Sequence, residues 1–459
     1  MSRSRVRRKL LWLGCGSLFV AGLGVSTALA VHHVPEAGPL LANTLRKIVG
    51  VEAVAKLEEL AADAEDRVMR ARFEHEPPRS LRAASNKGIQ LGAAPPAPLA
   101  RSTSDPRSDT RSESESNAPN ASDAPDASEV ASADAPDAFL SESESAGAAP
   151  RPIEPPFVLA NVAAPHPAVA AEGDGEWVPV LDPARPDAPA LLHTTLIHPD
   201  PERRYAELFV VAMPRDRILL RPVPGTAEPA TTNPAAAQLT SRGLIPASVH
   251  EELLAAFNGG FRAEHGHYGM AVDGVVLLPA RAEMCTVAGY ADGSLRIGTH
   301  ARLAATPDAP SWFRQTPRCM VEDGELNPRL ANPNTKNWGA TLDGDTVIRR
   351  SAIALSEDGK VLYVGVSNYT TARALALGMR AVGGFDVAQL DVNKSFPKFL
   401  LFPRTDSGER RAVSLFDGFL FTPEEMIAKP AERDFFYVLR RPSEERAAAP
   451  SGDPGKHPG

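Results

Sequence analysis

The sequence predicts an α+β fold: one strand-rich domain with a few helices, preceded by an N-terminal membrane anchor, a helix and a disordered linker. Short β-rich runs alternate with polar turns through the second half of the chain, which is typical of strands. Strands that outnumber the helices between them favour an α+β domain over a doubly wound sheet. The predicted strands are 206–213, 218–223, 270–278, 284–290, 294–298, 351–355, 361–366 and 412–421.

Two helices are predicted inside this domain. The first covers 248–257, because Ser248 is a plausible N-cap. The second covers 370–382 and ends at Gly383 and Gly384, which stop a helix readily. A further helix is predicted over 51–72, where apolar residues recur with a helical rather than a strand period.

The N-terminal segment predicts export. Five basic residues between positions 3 and 9 precede an uncharged run over 10–31, which is long enough to cross a bilayer. Ala28-Leu29-Ala30 resembles a cleavage site, so a removed signal peptide and a retained anchor both stay open. We expect an exported protein that is membrane-anchored, periplasmic or extracellular.

The chain divides into five parts by composition. Between the helix and the folded domain, Ala, Pro, Ser and acidic residues dominate, and such a segment cannot bury enough apolar surface to fold. The predicted parts are a signal anchor or signal peptide at 1–32, a juxtamembrane helical segment at 33–75, a disordered linker at 76–151, the domain at 152–441 and a disordered tail at 442–459.

Composition and spacing exclude several function classes. The net charge of -8 belongs partly to the acidic linker, and no basic patch supports a nucleic-acid partner. No metal-ligand spacing, P-loop or dinucleotide fingerprint stands in a convincing context, so we expect no metal and no cofactor. Cys285 and Cys319 either pair in an oxidising compartment or are two small buried apolar residues.

Three polar turns place different chemical groups at the ends of apolar segments. Asn258 supplies an amide, Arg350 a guanidinium and Asp391 a carboxylate. Loops carried by a rigid scaffold are where proteins usually place their chemistry. We therefore predict that these three groups meet in one pocket.

The same turns resemble, in order, the motifs of the phosphodiester glycosidase family. The resemblance covers about 255–421, with a weaker match at 320–328. It implies a hydrolase that cleaves a glycosyl phosphodiester. Members of the family usually follow Leu-Asp with glycines and serines, whose N–H groups can face an anion. The matching residues here are Asn258-Gly259-Gly260-Phe261, Arg350-Ser351-Ala352-Ile353 and Leu390-Asp391, and the turn that departs from the family is Val392-Asn393-Lys394-Ser395.

The chemistry of this cleavage assigns roles to the candidate residues. Asp391 would act as nucleophile, base or stabiliser because burial raises a carboxyl pKa, and Arg350 would bind the phosphate through a bidentate contact. His267 would be a general acid in a polar loop. Each has a structural alternative: a turn cap, a strand-edge salt bridge and an ordinary loop residue. The predicted substrate-binding residues are Asn258, Gly259, Gly260, Asn393, Lys394 and Ser395.

Export and resemblance together predict an exported glycoside hydrolase that acts on a sugar-phosphate linkage in envelope or extracellular polysaccharide. Its partners would be a carbohydrate or glycosyl-phosphate substrate and, through the N-terminal segment, the membrane. The alternative is a non-catalytic glycan-binding or envelope-organising protein on the same scaffold, which the missing glycine turn favours.

Overall fold

Antiparallel strands and a few helices make up the structure, which is a computed structural model. It describes residues 48, 50–93, 155–239, 242–332, 338–339, 345–405 and 407–441. The predicted anchor, the tail and most of the predicted linker lie outside these residues. The α-helices are α1 (Val51–Phe73), α2 (Leu81–Ala84), α3 (His300–Leu303) and α4 (Ala372–Ala381), and the 3₁₀ turns are Pro167–Val169, Arg215–Arg217, Pro234–Gln238, Ala247–Glu252, Ala263–His265 and Pro328–Ala331.

The strands are short and most are buried on both faces. They are β1 (Val178–Val180), β2 (Leu192–Ile197), β3 (Leu208–Pro214), β4 (Ile218–Val223), β5 (Leu253–Asn258), β6 (Met270–Val272), β7 (Val275–Leu278), β8 (Cys285–Gly289), β9 (Leu295–Thr299), β10 (Trp312–Thr316), β11 (Val321–Glu322), β12 (Glu325–Leu326), β13 (Arg350–Leu355), β14 (Val361–Ser367), β15 (Asp386–Val392), β16 (Phe399–Leu401), β17 (Val413–Ser414) and β18 (Phe435–Arg440). The prediction of a strand-rich domain with a few helices is confirmed.

Within the described residues these strands form three antiparallel sheets. The first has the order β1-β2-β3-β14-β13-β15-β11-β12, the second β7-β6-β10-β8-β9 and the third β17-β16-β5-β18-β4. In the third sheet β18 lies between β5 and β4, although it is the last strand along the described chain. The ends of β5, β15 and β18 supply the candidate site.

Two cores lie on the two faces of the first sheet. Alternate residues of β13 explain this, because Ile353 packs into a core shared with the other two sheets, including Phe257 and Phe436. The neighbouring Ala352 packs instead on the side of helix α4, where Leu375 is fully buried. Side chains on a strand point alternately to its two faces, so β13 is fixed from both sides.

The helix predicted over 248–257 is wrong in its second half. A 3₁₀ turn ends at Glu252, and Leu253–Asn258 is strand β5, paired with both β16 and β18. Ala255 and Ala256 face different cores, so both faces of this strand are apolar. A continuous apolar run cannot be told from a buried helix by periodicity alone, and the two neighbouring strands decide its conformation.

Other boundaries also differ from the sequence prediction. The run 270–278 is interrupted by a turn at Asp273, whose φ is 50°, and forms a hairpin of β6 and β7. Of 412–421 only Val413–Ser414 is a strand. The predicted linker begins at residue 76, whereas Leu81 and Ala84 are buried in the main core. The helix predicted over 370–382 is present as α4, with Thr371 as its N-cap.

Helix α1 packs on the domain through its C-terminal half. Asp66 accepts a hydrogen bond from Arg203 at 2.9 Å and is paired with the phenol of Tyr205. The ring of Phe73 lies 5.8 Å from that of Tyr205, centroid to centroid. Across the described ranges, no helix combines the length and apolarity needed to cross a membrane.

Cys285 and Cys319 form a disulfide, so the first of the two alternatives for these residues holds. Cys285 begins β8 in the second sheet, whereas Cys319 lies just before β11 of the first sheet. The bond therefore ties the second sheet to the segment that enters the first.

Candidate active site

The turn after β5 and the end of β15 are joined by a chain of buried hydrogen bonds. The Nδ2 of Asn258 donates to Ser351 Oγ at 2.8 Å, and that hydroxyl donates to the backbone oxygen of Asp391 at 3.1 Å. The backbone N–H of Asp391 donates to Gly259 at 3.1 Å. The Oδ1 of Asn258 accepts from the backbone of Lys398 at 3.2 Å. Asn258 is fully buried, so its amide holds these segments together.

The carboxylate of Asp391 is buried beside a partly exposed guanidinium. Its side chain is 2 % exposed and forms an ion pair with Arg433, which is 17 % exposed. Burial raises the pKa of Asp391 to about 6, and the positive charge of Arg433 opposes that rise. The guanidinium of Arg433 also lies over the ring of Phe396, 4.2 Å from its centroid. This is the environment in which a carboxylate acts as a base near neutral pH.

A second buried ion pair supports the glycine turn. Arg314 donates from Nε to Asp434 Oδ2 at 2.8 Å and from Nη2 to the backbone oxygen of Phe261 at 2.6 Å. Asp434 also accepts the backbone N–H of Gly260 at 2.9 Å. A Cβ on Gly260 would lie 2.7 Å from Arg314 Cζ, so glycine is needed for this close approach. Gly259 and Gly260 are therefore placed by Asp434 and Arg314.

The side chain of Arg350 does not pair with Asp391. Its side chain is fully buried and donates to three backbone oxygens: Thr346 at 2.9 Å, Trp338 at 3.1 Å and Thr370 at 3.1 Å. These hydrogen bonds hold the segment before β13 and the segment after β14 in place. The guanidinium that reaches Asp391 is that of Arg433. The prediction that Arg350 meets Asn258 and Asp391 in one pocket is therefore wrong, and Arg350 has a structural role instead.

The turn after Asp391 is ordered by Asn393. Its Oδ1 accepts the backbone N–H groups of Ser395 at 2.8 Å and Phe396 at 2.6 Å, which is an Asx turn. Its Nδ2 lies 3.5 Å from Asp391 Oδ2. A side-chain amide thus orders this turn, at the position where the resemblance would place glycines. Lys394 extends from this turn to Glu65 of helix α1, with 2.9 Å from Nζ to each carboxylate oxygen.

His267 lies in the exposed loop after Phe261. Its φ is 48°, and its backbone N–H donates to Ala263 at 2.8 Å. The next residue, Tyr268, is buried in a small apolar cluster with Phe261 and Val392. The loop therefore packs directly beside the end of β15, and His267 lies on its exposed side.

Sequence reasoning missed Arg433, Asp434 and Arg314. A signal was present for the first two, because they precede the apolar strand β18 just as Asp391 closes the apolar strand β15. Arg314 stands inside β10 between Phe313 and Gln315, where a charged residue on a strand usually indicates a solvated face. No cluster of metal-ligating side chains occurs in the residues that the structure describes.

No family model matches the chain. No curated protein matches it either. Among solved structures it is similar to a hypothetical protein from Synechocystis, at 10 % identity and a TM-score of 0.27, over 51 % of this chain and 59 % of that one.

A second similar structure is a protein from Burkholderia pseudomallei K96243 that has been suggested to be exported, at 10 % identity and a TM-score of 0.24, over 55 % of this chain and 75 % of that one. This chain spans less than two thirds of the length of the Synechocystis protein described above. Likenesses of this size carry no argument about fold or activity, so membership of the phosphodiester glycosidase family stays a prediction.

Proposed function

We propose that the chain is an exported hydrolase of the phosphodiester glycosidase type, which cleaves a glycosyl phosphodiester in envelope or extracellular polysaccharide. The observation that supports this most directly is the buried carboxylate of Asp391 beside the partly exposed guanidinium of Arg433. A base and an anion-binding group are the two functions that this cleavage requires of the protein.

In the proposed reaction, water adds to the anomeric carbon and the bond from that carbon to the phosphate oxygen breaks. Asp391, in its ionised form, accepts a proton from the water. The phosphate monoester leaves with the electron pair of the broken bond, and its low basicity reduces the need for a strong acid. His267 stays the predicted donor of any proton that the leaving group takes.

Arg433 takes the phosphate-binding role first given to Arg350. Its side chain is 17 % exposed, so part of the guanidinium can reach an oxygen of the substrate while the rest pairs with Asp391. Contact with Phe396 holds the guanidinium plane in place. Asn258, Arg314 and Asp434 act through position: they fix the turn and the strand end around Asp391.

The proposed export is based on the N-terminal sequence. The basic flank and the uncharged run over 10–31 support it. This segment lies outside the described residues. The disulfide between Cys285 and Cys319 is consistent with an oxidising compartment.

The second candidate function is non-catalytic glycan binding on the same scaffold. It is favoured by the burial of Asp391, whose side chain is only 2 % exposed. Glycan binding by the full-length protein without release of product, retained in Asp391→Asn, would decide for this function.

Turnover is tested with purified full-length protein and a panel of methyl esters of glycosyl 1-phosphates, with free sugar and methyl phosphate detected by mass spectrometry. Asp391→Asn and Arg433→Met should each lower kcat/KM by about 100-fold or more, because each removes a group that acts on the transition state. Asp358→Asn, which removes an exposed turn carboxylate, is the matched control.

The pH profile gives a second readout. A base must be ionised, so kcat/KM should be high above pH 6 and fall as the pH drops through the pKa of Asp391, about 6. Absence of turnover on every member of the panel, or full activity in Asp391→Asn, would refute the hydrolase proposal.

A further inference from the structure

The carboxylate of Glu65, on helix α1, occupies a polar site on the domain next to the Asp391 turn. Both of its oxygens lie 2.9 Å from Lys394 Nζ. The phenol of Tyr369 donates to Glu65 Oε1 at 3.1 Å. These donors come from two different loops, the one after β14 and the one after β15.

Arg349 is a further cation, whose charge interacts with that of Glu65. Its guanidinium lies over the ring of Phe419 at 4.1 Å and donates to the backbone oxygen of Gly418 at 2.9 Å. Burial lowers the pKa of Arg349 to about 10, and the charge of Glu65 is among the interactions that oppose this. The Nε of Arg349 is buried without a hydrogen-bond partner among the described residues. Lys394 and the phenol of Tyr369 are thus the two groups that contact the carboxylate of Glu65 directly.

We propose that Lys394 and Tyr369 form an oxyanion-binding subsite that Glu65 fills, so that helix α1 competes with an anionic group of the substrate. The fitting ligand is a monoanion with two terminal oxygens, either the phosphodiester group or the carboxylate of an acidic sugar. This deepens the proposed function, because Lys394 lies three residues after Asp391 in the same turn. The carboxylate of Glu65 stands where one such pair of oxygens would bind.

The contact between Glu65 and Lys394 is one that a ligand can replace. Their side chains are 31 % and 47 % exposed, and exposed ion pairs are weak. The helix is held independently, through Asp66 with Arg203 and Tyr205 and through Phe73. Removing the Glu65 side chain should therefore open the subsite and leave helix α1 docked.

The test measures anion binding to the full-length protein by calorimetry, with dimethyl phosphate in one arm and acetate in the other. Glu65→Ala should bind one or both anions about fivefold more tightly than wild type, the gain expected from removing one weak competing ion pair. Asp63→Ala is the matched control, since it removes an exposed carboxylate two residues away on the same helix. Alanine is the best helix former, so neither change should melt α1.

Lys394→Met in the Glu65→Ala background should abolish the gain, because the principal cation is gone. Tighter binding of dimethyl phosphate assigns the subsite to a phosphodiester, and tighter binding of acetate assigns it to an acidic sugar. If Glu65→Ala binds neither anion more tightly than Asp63→Ala does, the subsite is disproved. Binding is measured without turnover, so this result is independent of whether Asp391 catalyses hydrolysis.

Discussion

Arg350 and Arg433 lie in two regions that use the same side chain in opposite ways. Arg350 is fully buried, and its guanidinium donates to the backbone oxygens of Thr346, Trp338 and Thr370. Arg433 is 17 % exposed and pairs with a carboxylate and an aromatic ring. The first arrangement commits the guanidinium to the backbone, whereas the second leaves it accessible to a ligand.

This difference shows that a charged residue at a strand end does not identify a functional group by itself. Whether such a residue is functional depends on the residues of other elements that surround it. Around Arg350 these neighbours include three backbone carbonyl groups, which accept hydrogen bonds from its guanidinium. Around Arg433 the neighbour is Asp391, whose charged form is disfavoured by burial.

The largest expected effect is on stability at Arg350. Arg350→Met should lower the free energy of unfolding by about 3–5 kcal/mol, because it leaves buried carbonyls without donors. Arg433→Met should lower it by less, about 2 kcal/mol, because the buried carboxylate of Asp391 that loses its partner can take up a proton. Urea denaturation of both variants measures the two values. Equal losses would remove the distinction between the two regions.

A smaller effect is expected from the charge of Asp391. Its pKa is about 6 in the folded protein and 3.8 in the reference state, so the folded protein binds more protons between these values and loses stability as the pH rises through them. The loss should reach about 3 kcal/mol above pH 6, at 1.36 kcal/mol per unit of pKa. Asp391→Asn lacks the carboxyl group and should lack this loss.

The measurement is the difference in unfolding free energy between wild type and Asp391→Asn at pH 4 and pH 7. A difference that stays constant between these two values would contradict a raised pKa. If the Asp391→Asn variant is inactive yet at least as stable as wild type at pH 7, then Asp391 serves activity, in contrast to Arg350, which serves stability.

The smallest of the three effects is expected at the glycine turn. Gly260→Ala should lower the free energy of unfolding by about 2 kcal/mol, because the added Cβ would lie 2.7 Å from Arg314 Cζ. Gly88→Ala, whose nearest atom is the Oδ1 of Asn86 at 3.5 Å, is the control and should change stability little. Equal effects in a denaturation series would show that Arg314 is not a rigid neighbour.

Sequence patterns identified strands β3, β13 and β14 of the first sheet but not the strands next to the glycine turn. The runs at β3, β13 and β14 have clear β composition and are present close to the predicted bounds. Strand β5 is Ala-rich, and its conformation depends on pairing with β16 and β18, which are more than 140 residues away. Local β-propensity cannot identify pairing partners that lie so far away in the sequence.

For the site, the sequence identified single side chains and could not identify their partners. Asn258 is linked through Ser351 to the backbone oxygen of Asp391, whereas Arg350, predicted to meet them in one pocket, is not part of this link. That Arg433 rather than Arg350 pairs with Asp391 depends on the position of β18 beside β5. The contact of Glu65 with Lys394 joins residues 329 positions apart and could not be read from either segment alone.

The central position of β18 in its sheet has a consequence for biosynthesis. Strands β4 and β5 are made early, but each lacks this neighbour until residues 435–440 have left the ribosome. Long-range pairing of this kind is slow and comes late in folding. The third sheet therefore stays incomplete until β18 has been made, and truncation before Arg433 would delete the strand together with Arg433 and Asp434.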